Sequence, residues 1–212
     1  MPAGSVFFAK SNAMRHPFQF LVALIAITFL VSGYVNRERA YILKESELTL
    51  IGESNVKPFS CECEEEFEPV SYELSQHCDG HYVFKGTQLR VPVRTLDCGN
   101  RIMNKDLYEA LKAETYPEII IQPIELHLPL ELTPQAGWVS FTAEATIALA
   151  GRAKTVTLPV KARHTSNTQF QIRSRKTLCM LDFGIAPPTA MGGLIKVKEE
   201  IDIHLDLLVE IR

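Results

Sequence analysis

The sequence predicts an all-β domain that carries one short helix. Apolar and polar residues alternate over long stretches, most clearly from Ile124 to Leu132, as in strands with one buried face. Eight such runs follow one another along the chain. Helical spacing within this domain occurs once, between the third and fourth runs. Because open edges on strands this long invite aggregation, a closed barrel is favoured, although a two-sheet sandwich fits the same periodicity.

The predicted strands begin shortly after residue 47. The first passes Leu48 and Leu50, and the last is a long run from Ile195 to Ile211. Between them we predict strands at 66–75, 81–94, 119–132, 138–150, 156–162 and 168–183. A barrel of eight strands is just wide enough to be filled by side chains or to hold one small ligand.

The third and fourth strands are joined by a crossover that contains the helix. A Cys-Gly-Asn turn follows the third strand, because Gly and Asn tolerate the backbone angles of tight turns. Asn104 is the expected N-cap, and Leu107 and Leu111 lie on one helical face. Pro117 is expected to end the helix, since the residue before a proline disfavours helical backbone.

The same crossover carries a resemblance to a known family. The run VPVRTLDCGNRIMNKDLYEALKAETYPEI resembles the signature of the YceI-like family, and LDFGIAPPTAMGGLIKVKEEIDIHLDLLV resembles its closing segment. The resemblance extends from about Leu48 to Ile211. It implies an eight-stranded antiparallel closed barrel of lipocalin-like type, with the helix inserted between strands 3 and 4. It also implies that a polyisoprenoid chain binds inside the barrel.

The N-terminal residues indicate export. Phe18–Gly33 is a stretch of 16 residues without a formal charge, preceded by Arg15 and His16. It is short for a membrane span, which needs about 20 apolar residues, and Val31-Ser32-Gly33 resembles a signal-peptidase site. We therefore interpret residues 1–33 as a signal peptide, with an uncleaved membrane anchor as the alternative. Residues 34–47 are predicted as a linker and 48–212 as the barrel domain, in the periplasm or secreted.

The five cysteines fit an oxidising compartment, where they can form up to two disulfides. Cys61 and Cys98 both lie at strand ends beside turn residues, so this pair is our first prediction. Cys63 with Cys78 would close the first hairpin and is the second. Sequence alone does not choose among the pairings.

A metal or redox module is the alternative reading of the hairpin from Cys61 to His81, which gathers three cysteines and two histidines. Thiolate and imidazole ligands suit zinc or Cu(I). The spacing is not that of a closed zinc site, and export would oxidise paired thiols. We therefore predict no metal site and no cofactor.

The function depends on what the barrel interior holds. Ala143 and Ala145 place small side chains in mid-strand, where a filled core would favour larger ones. This indicates a channel for an apolar chain, unless the alanines accommodate bulky neighbours in a structural or adhesive envelope module with a filled core. The resemblance favours an apolar lipid, most simply a polyisoprenoid. The predicted lining residues are Val91, Val93, Leu126, Leu128, Leu130, Phe141, Ala143, Ala145, Ile203, Leu205 and Leu207.

Other functions find little support in the sequence. No nucleophile elbow, zinc-protease motif or phosphate-binding glycine loop occurs, so we predict no enzymatic activity. The formal net charge is −3, with basic residues scattered along the chain, which argues against a nucleic-acid partner. A homodimer, and membrane association through the N-terminal segment, are compatible with the sequence.

Overall fold

The computed structural model describes residues 38–63, 66–77, 80–128, 132–133 and 135–212. These residues form thirteen β-strand segments and one α-helix. In chain order the elements are β1 (Glu38–Ile42), β2 (Glu47–Ser54), β3 (Pro58–Cys63), β4 (Val70–Gln76), β5 (His81–Lys85), β6 (Leu89–Pro92), β7 (Leu96–Asp97), α1 (Arg101–Ala110), β8 (Glu118–His127), β9 (Val139–Leu149), β10 (Arg152–His164), β11 (Gln169–Cys179), β12 (Thr189–Ala190) and β13 (Ile195–Ile211).

Eight of the segments form a closed ring of antiparallel ladders. The hydrogen-bonded order is β1-β4-β5-β8-β9-β10-β11-β13, and β13 pairs back with β1. The long ladders between β9, β10, β11 and β13 form half of this wall. The predicted all-β, eight-stranded antiparallel barrel with one short helix is confirmed.

Two further strands extend the wall beyond the ring. β2 pairs with the same strand as β1, since Ile42 lies opposite Val209 and Leu48 opposite Leu205. β6 likewise continues β5 along β8. β3 pairs with β2 on one side, but on its other side it pairs with β7 and not with β6. The crossover therefore occupies the part of the wall between β3 and β6.

Strand β1 lies inside the segment that the sequence analysis assigns to a linker. Its residues 38–40 pair with β4 and its residues 40–42 pair with β13, so this part of the 34–47 segment belongs to the barrel. The strand has only five residues, which is too short a run for alternation to reveal it. The predicted signal peptide or anchor at 1–33 lies outside the described residues. In the described part of the chain, no helix has the length and apolar character that a membrane span requires.

The helix begins one turn earlier than predicted. Asn100, not Asn104, is the N-cap, and its side-chain oxygen accepts hydrogen bonds from the backbone N–H groups of Ile102 (2.8 Å) and Met103 (3.4 Å). Two asparagines one turn apart offer the same capping chemistry, so the sequence does not show which of them is the N-cap.

The helix also ends earlier than Pro117 would require. Lys112 adopts a left-handed backbone (φ 54°), and the Ala113 N–H donates to the Tyr108 carbonyl (2.9 Å). This is a Schellman-type termination, in which a lysine holds the position that glycine usually takes. The helix therefore ends by its own C-terminal turn.

The first predicted disulfide is confirmed. Cys61 on β3 is bonded to Cys98 in the turn before α1. Cys61 is fully buried, together with Val91, Val93 and Leu96 from the neighbouring part of the crossover. The second predicted pair stays a prediction, because Cys78 lies outside the described residues. The disulfide thus fixes the start of α1 to the wall from which the β3–β6 ladder is missing.

Removal of the disulfide is expected to destabilise the barrel. Cys98→Ser should lower the free energy of unfolding by about 2–5 kcal/mol under oxidising conditions, since it frees two residues that are 37 positions apart in the chain. Denaturant titrations with and without reductant measure the effect. In reductant, wild type and variant should unfold alike.

Cys179→Ser is the matched control, because Cys179 forms no disulfide. Reductant should change the free energy of unfolding of this variant by the same amount as that of wild type. A Cys98→Ser variant as stable as wild type without reductant would contradict the role of this bond.

Candidate functional site

An apolar cavity of about 370 Å³ lies at the end of the barrel that α1 covers. Its wall combines inward-facing positions of the strands with one face of the helix and with the segment that follows β11. The lining includes Leu48, Leu50, Phe59, Cys61, Cys98, Ile119, Ile121, Ile147, Leu149, Leu178, Met180, Phe183, Ile185, Val197, Ile201 and Ile203. The volume falls within the range of small-molecule binding sites.

The helix contributes an amphipathic face to this cavity. Ile102, Met103, Leu107, Ala110 and Leu111 line it, and their spacing of three to four residues places them on one side of the helix. The opposite side is exposed and carries the Lys105–Glu109 ion pair. The crossover thus provides the apolar surface that a strand would otherwise provide.

Polar side chains are few in the lining. Lys57 and Asn100 are exposed, so they lie where the cavity meets solvent, and the Asn100 side chain is already engaged as the helix N-cap. Since buried polar groups are unfavourable without partners, a cavity of this composition suits an apolar ligand. Among the described residues, the polar members of the lining are Ser54, Lys57, Asn100, Asp106 and Thr189.

The cavity opens to solvent between the β2–β3 turn and the start of α1. Val56 and Ile102 line it, yet they are 66% and 69% exposed, so they mark its mouth. Leu194, also strongly exposed, is held near the β2–β3 turn because the Asn55 side chain donates to its carbonyl (2.9 Å). Exposed large apolar residues that rim a cavity are typical of a ligand entrance.

Ion pairs lie outside the apolar lining. Lys198 on β13 donates to the Glu53 carboxylate on β2, close to Ser54 at the cavity. This hydrogen bond, together with the attraction between the two charges, raises the pKa of Lys198 above its ordinary value. Both groups are exposed, so the pair does not compete with an apolar ligand for the interior.

A family comparison agrees with this geometry. The sequence model of the YceI-like domain matches residues 47–209. The chain belongs to the YceI-like family. The match begins at the start of β2 and includes all cavity-lining residues of β13. Residues 38–42 of β1, which close the ring, lie just before the matched region.

Two solved structures share the fold of this YceI-like domain. BcnA of Burkholderia cenocepacia is 15% identical, with a TM-score of 0.58, over 77% of this chain and 96% of that one. A polyisoprenoid binding domain from Saccharophagus degradans, implicated in plant cell wall breakdown, is 14% identical, with a TM-score of 0.55, over 81% and 97%. No curated protein matches the chain in sequence.

The predicted lining residues are only partly at this cavity. Among the ten that lie in the described part of the chain, Ile203 lines it. Val91 and Val93 are fully buried in the core beside the crossover, and Ala145 is 1% exposed. These three residues therefore pack within the protein interior rather than along this cavity.

The remaining predicted positions are half-buried, and Leu130 lies outside the described residues. Most of them pack against the core from their strands. The half-buried members are Leu126, Leu128, Phe141, Ala143, Leu205 and Leu207.

The sequence analysis did not identify most residues of the cavity. Ile119, Ile121 and Ile147 are inward-facing strand residues whose alternation is visible in the sequence. The helix face with Leu107 was also visible. The sequence does not show which end of the barrel is left unfilled, because this depends on how the crossover packs.

The alternative metal module at the Cys61–His81 hairpin is not supported by the arrangement of its thiols. Cys61 is bonded to Cys98, so its thiolate is not available as a ligand in the oxidised protein. Cys63 lies beside Thr95, with 3.2 Å between Sγ and the hydroxyl oxygen. His81 of this hairpin instead lies close to His127 and Glu125 of β8.

The position of α1 over the cavity is expected to depend on Asn104. Its side-chain oxygen accepts from the Cys98 N–H (2.7 Å), and its amide donates to Asp97 (2.7 Å). Asn104→Ala should lower the free energy of unfolding by about 1–3 kcal/mol, because partly buried polar groups lose their partners. Denaturant titration measures the loss.

Lys105→Ala is the control on the exposed side of the same helix. Its ion pair with Glu109 is solvent-exposed, so the change should stay within about 0.5 kcal/mol. Equal effects of the two substitutions would contradict the role given to Asn104.

Proposed function

We propose that the protein binds an apolar lipid, most simply an isoprenoid-like chain, in the cavity beneath α1. The observation that carries this proposal is the composition of the cavity, whose wall is formed almost entirely by aliphatic, aromatic and sulfur-containing side chains. Burial of an apolar chain in this space stabilises the bound state by about 25 cal/mol for each Å² of surface that is removed from water. No polar partner is needed for it.

The comparison with a solved structure supports the ligand class. The Saccharophagus degradans protein of the same fold is described as a polyisoprenoid binding domain. We extend that ligand class to this chain because the cavity has the apolar lining that such a ligand needs. The role we propose is binding and carriage, not catalysis.

The mouth of the cavity suggests how the lipid is held. The apolar chain inserts past Val56 and Ile102, and the polar end of the lipid stays in solvent at the rim. Lys57, which is exposed at this rim, can pair with an anionic headgroup. The ligand enters without disruption of the strand ladders, because the mouth lies between the β2–β3 turn and α1.

We further propose that the protein acts outside the cytoplasm, in the periplasm or after secretion. The Cys61–Cys98 disulfide supports an oxidising compartment. The uncharged run Phe18–Gly33 supports export.

Filling the cavity should abolish lipid binding without unfolding the barrel. Ala110 is half-buried on the cavity side of α1, so Ala110→Trp would place an indole in the space for the ligand. Mass spectrometry of organic extracts from the purified proteins should show stoichiometric lipid in wild type and a strong reduction in the variant. The melting temperatures of the two delipidated proteins should be similar.

Two further variants sharpen this test. Glu109→Trp adds the same side chain on the exposed side of α1 and should keep the lipid. Ala145→Leu tests the mid-barrel channel predicted from sequence. Because Ala145 is 1% exposed, the larger side chain should overpack the core and lower the free energy of unfolding by about 1–3 kcal/mol. The lipid should be retained.

The outcomes separate the candidate functions. Loss of lipid in Ala145→Leu but not in Ala110→Trp would place the ligand in the mid-barrel channel and contradict the proposed cavity. Absence of stoichiometric lipid from wild type would instead favour a structural or adhesive envelope module with a filled core.

Export is tested by the intact mass of the protein from its native host. We expect a mass that corresponds to loss of the N-terminal segment near Gly33, since Val31-Ser32-Gly33 resembles a cleavage site. The protein should appear in the periplasmic or extracellular fraction. Full-length mass in the membrane fraction would show an uncleaved anchor, and full-length mass in the cytoplasm would contradict export.

A further inference from the structure

Three histidines lie side by side where β4, β5 and β8 meet. The His77 N–H donates to the His81 carbonyl (2.8 Å), and His81 lies opposite His127 in the β5–β8 ladder. The ring centroids of His77 and His81 are 5.5 Å apart, and those of His81 and His127 are 4.6 Å apart. The last two rings stack within 9° of parallel.

This row of histidines is on the outer surface of the barrel. On β8, Leu126 lies opposite Ala143, which shares its side of β9 with the buried Ala145. Neighbouring residues of a strand point to opposite faces. Glu125 and His127, on either side of Leu126, therefore point outward.

A carboxylate completes the cluster. Glu125 Oε2 lies 2.9 Å from His81 Nε2. One ligand atom from each of His81, Glu125 and His127 can be chosen so that all three lie within 4.8 Å of one another. The side chains of His81 and Glu125 are 31% and 29% exposed, so an ion from solvent can reach them.

We propose that His81, Glu125 and His127 bind a divalent transition-metal ion, with Zn²⁺ as the reference ion. Imidazole nitrogen and carboxylate oxygen are ligands that Zn²⁺ prefers, and two histidines with one glutamate form a known three-ligand set. The fourth position is open to water, or to His77 from the adjacent strand end. Mg²⁺ and Ca²⁺ favour oxygen ligands alone and should not bind here.

The geometry requires only a small adjustment of side chains. Zn–N bonds of about 2.0–2.1 Å at a tetrahedral angle separate two ligand atoms by about 3.3 Å. The present spread of up to 4.8 Å closes by rotation of these exposed or half-exposed side chains. The backbone already places the two histidines opposite each other, so no strand needs to move.

Metal binding at this site would clamp a short ladder. Among the described residues, β5 and β8 pair through three residue pairs, from His81–His127 to Val83–Glu125. An ion held by ligands from both strands adds a link across this part of the wall. Binding to the folded state alone raises the melting temperature.

The proposal is independent of the lipid site. None of these three residues lines the cavity, so lipid content and metal affinity can be measured separately. Failure of one proposal does not decide the other.

The test is a calorimetric titration of the full-length chain with ZnCl₂, after removal of any histidine tag and treatment with a chelator. We expect saturable binding of one ion per chain, a higher melting temperature with Zn²⁺, and no binding of Mg²⁺. His127→Asn should weaken Zn²⁺ binding at least about tenfold, since loss of outer-shell partners alone typically weakens metal binding by about 10–100-fold. Glu125→Gln should also weaken it.

His204→Asn is the control, because His204 lies on β13 between β11 and β2 and is not part of the cluster. It should bind Zn²⁺ as wild type does. His127 is exposed, so its replacement should leave the circular dichroism spectrum unchanged. Absence of saturable Zn²⁺ binding, or equal affinity in wild type and His127→Asn, would overturn the proposal.

Discussion

The disulfide between Cys61 and Cys98 is the constraint on which the cavity end of the barrel depends. In this part of the wall β3 and β6 do not pair, and the crossover takes the place of a ladder between them. The disulfide joins β3 to the turn that starts α1, so the helix is held over the opening. Both cysteines also line the cavity. One covalent bond therefore tethers the start of the helix to the wall and forms part of the cavity lining.

The wall of the barrel is closed by different physical means at its two ends. At one end the β1–β13 ladder closes the ring with backbone hydrogen bonds. At the other end, side chains hold the crossover in place: the Tyr108 hydroxyl lies within hydrogen-bond distance of the carbonyls of Leu96 (2.9 Å) and Arg94 (3.0 Å), and Asn104 binds the Cys98 turn. A continuous ladder would satisfy the backbone but would leave no mouth. A helix satisfies its own backbone, so it can cover an opening and still present an apolar face to the interior.

Much of this fold could be predicted from the sequence, and the limits have physical causes. The last strand, from Ile195 to Ile211, and the Cys61–Cys98 pair were predicted as the structure has them. Strand β1 was not, because a run of five residues is too short to show alternation and its pairing partners lie far along the chain. The cavity was harder still. Alternation shows which residues face inward, and Ile203, one of the predicted lining residues, borders the cavity. It does not show where inward-facing side chains leave space, since that depends on how distant segments pack.

Strand β8 shows how one local irregularity lets the same wall serve two sites. Between Pro123 and Glu125 the register with β9 shifts by one residue: Pro123 lies opposite Ala145, but Glu125 lies opposite Glu144. Before this bulge the odd-numbered residues Ile119 and Ile121 face the cavity. After it the odd-numbered residues Glu125 and His127 face outward. A proline cannot donate to a ladder, and bulges are among the few places in a sheet that accommodate it. Without the extra residue, Glu125 and His127 would point into the apolar interior, where a charged group is strongly unfavourable. The bulge thus places aliphatic residues inside and metal-binding residues outside along a single strand, and pairing with β5 then brings His81 to them.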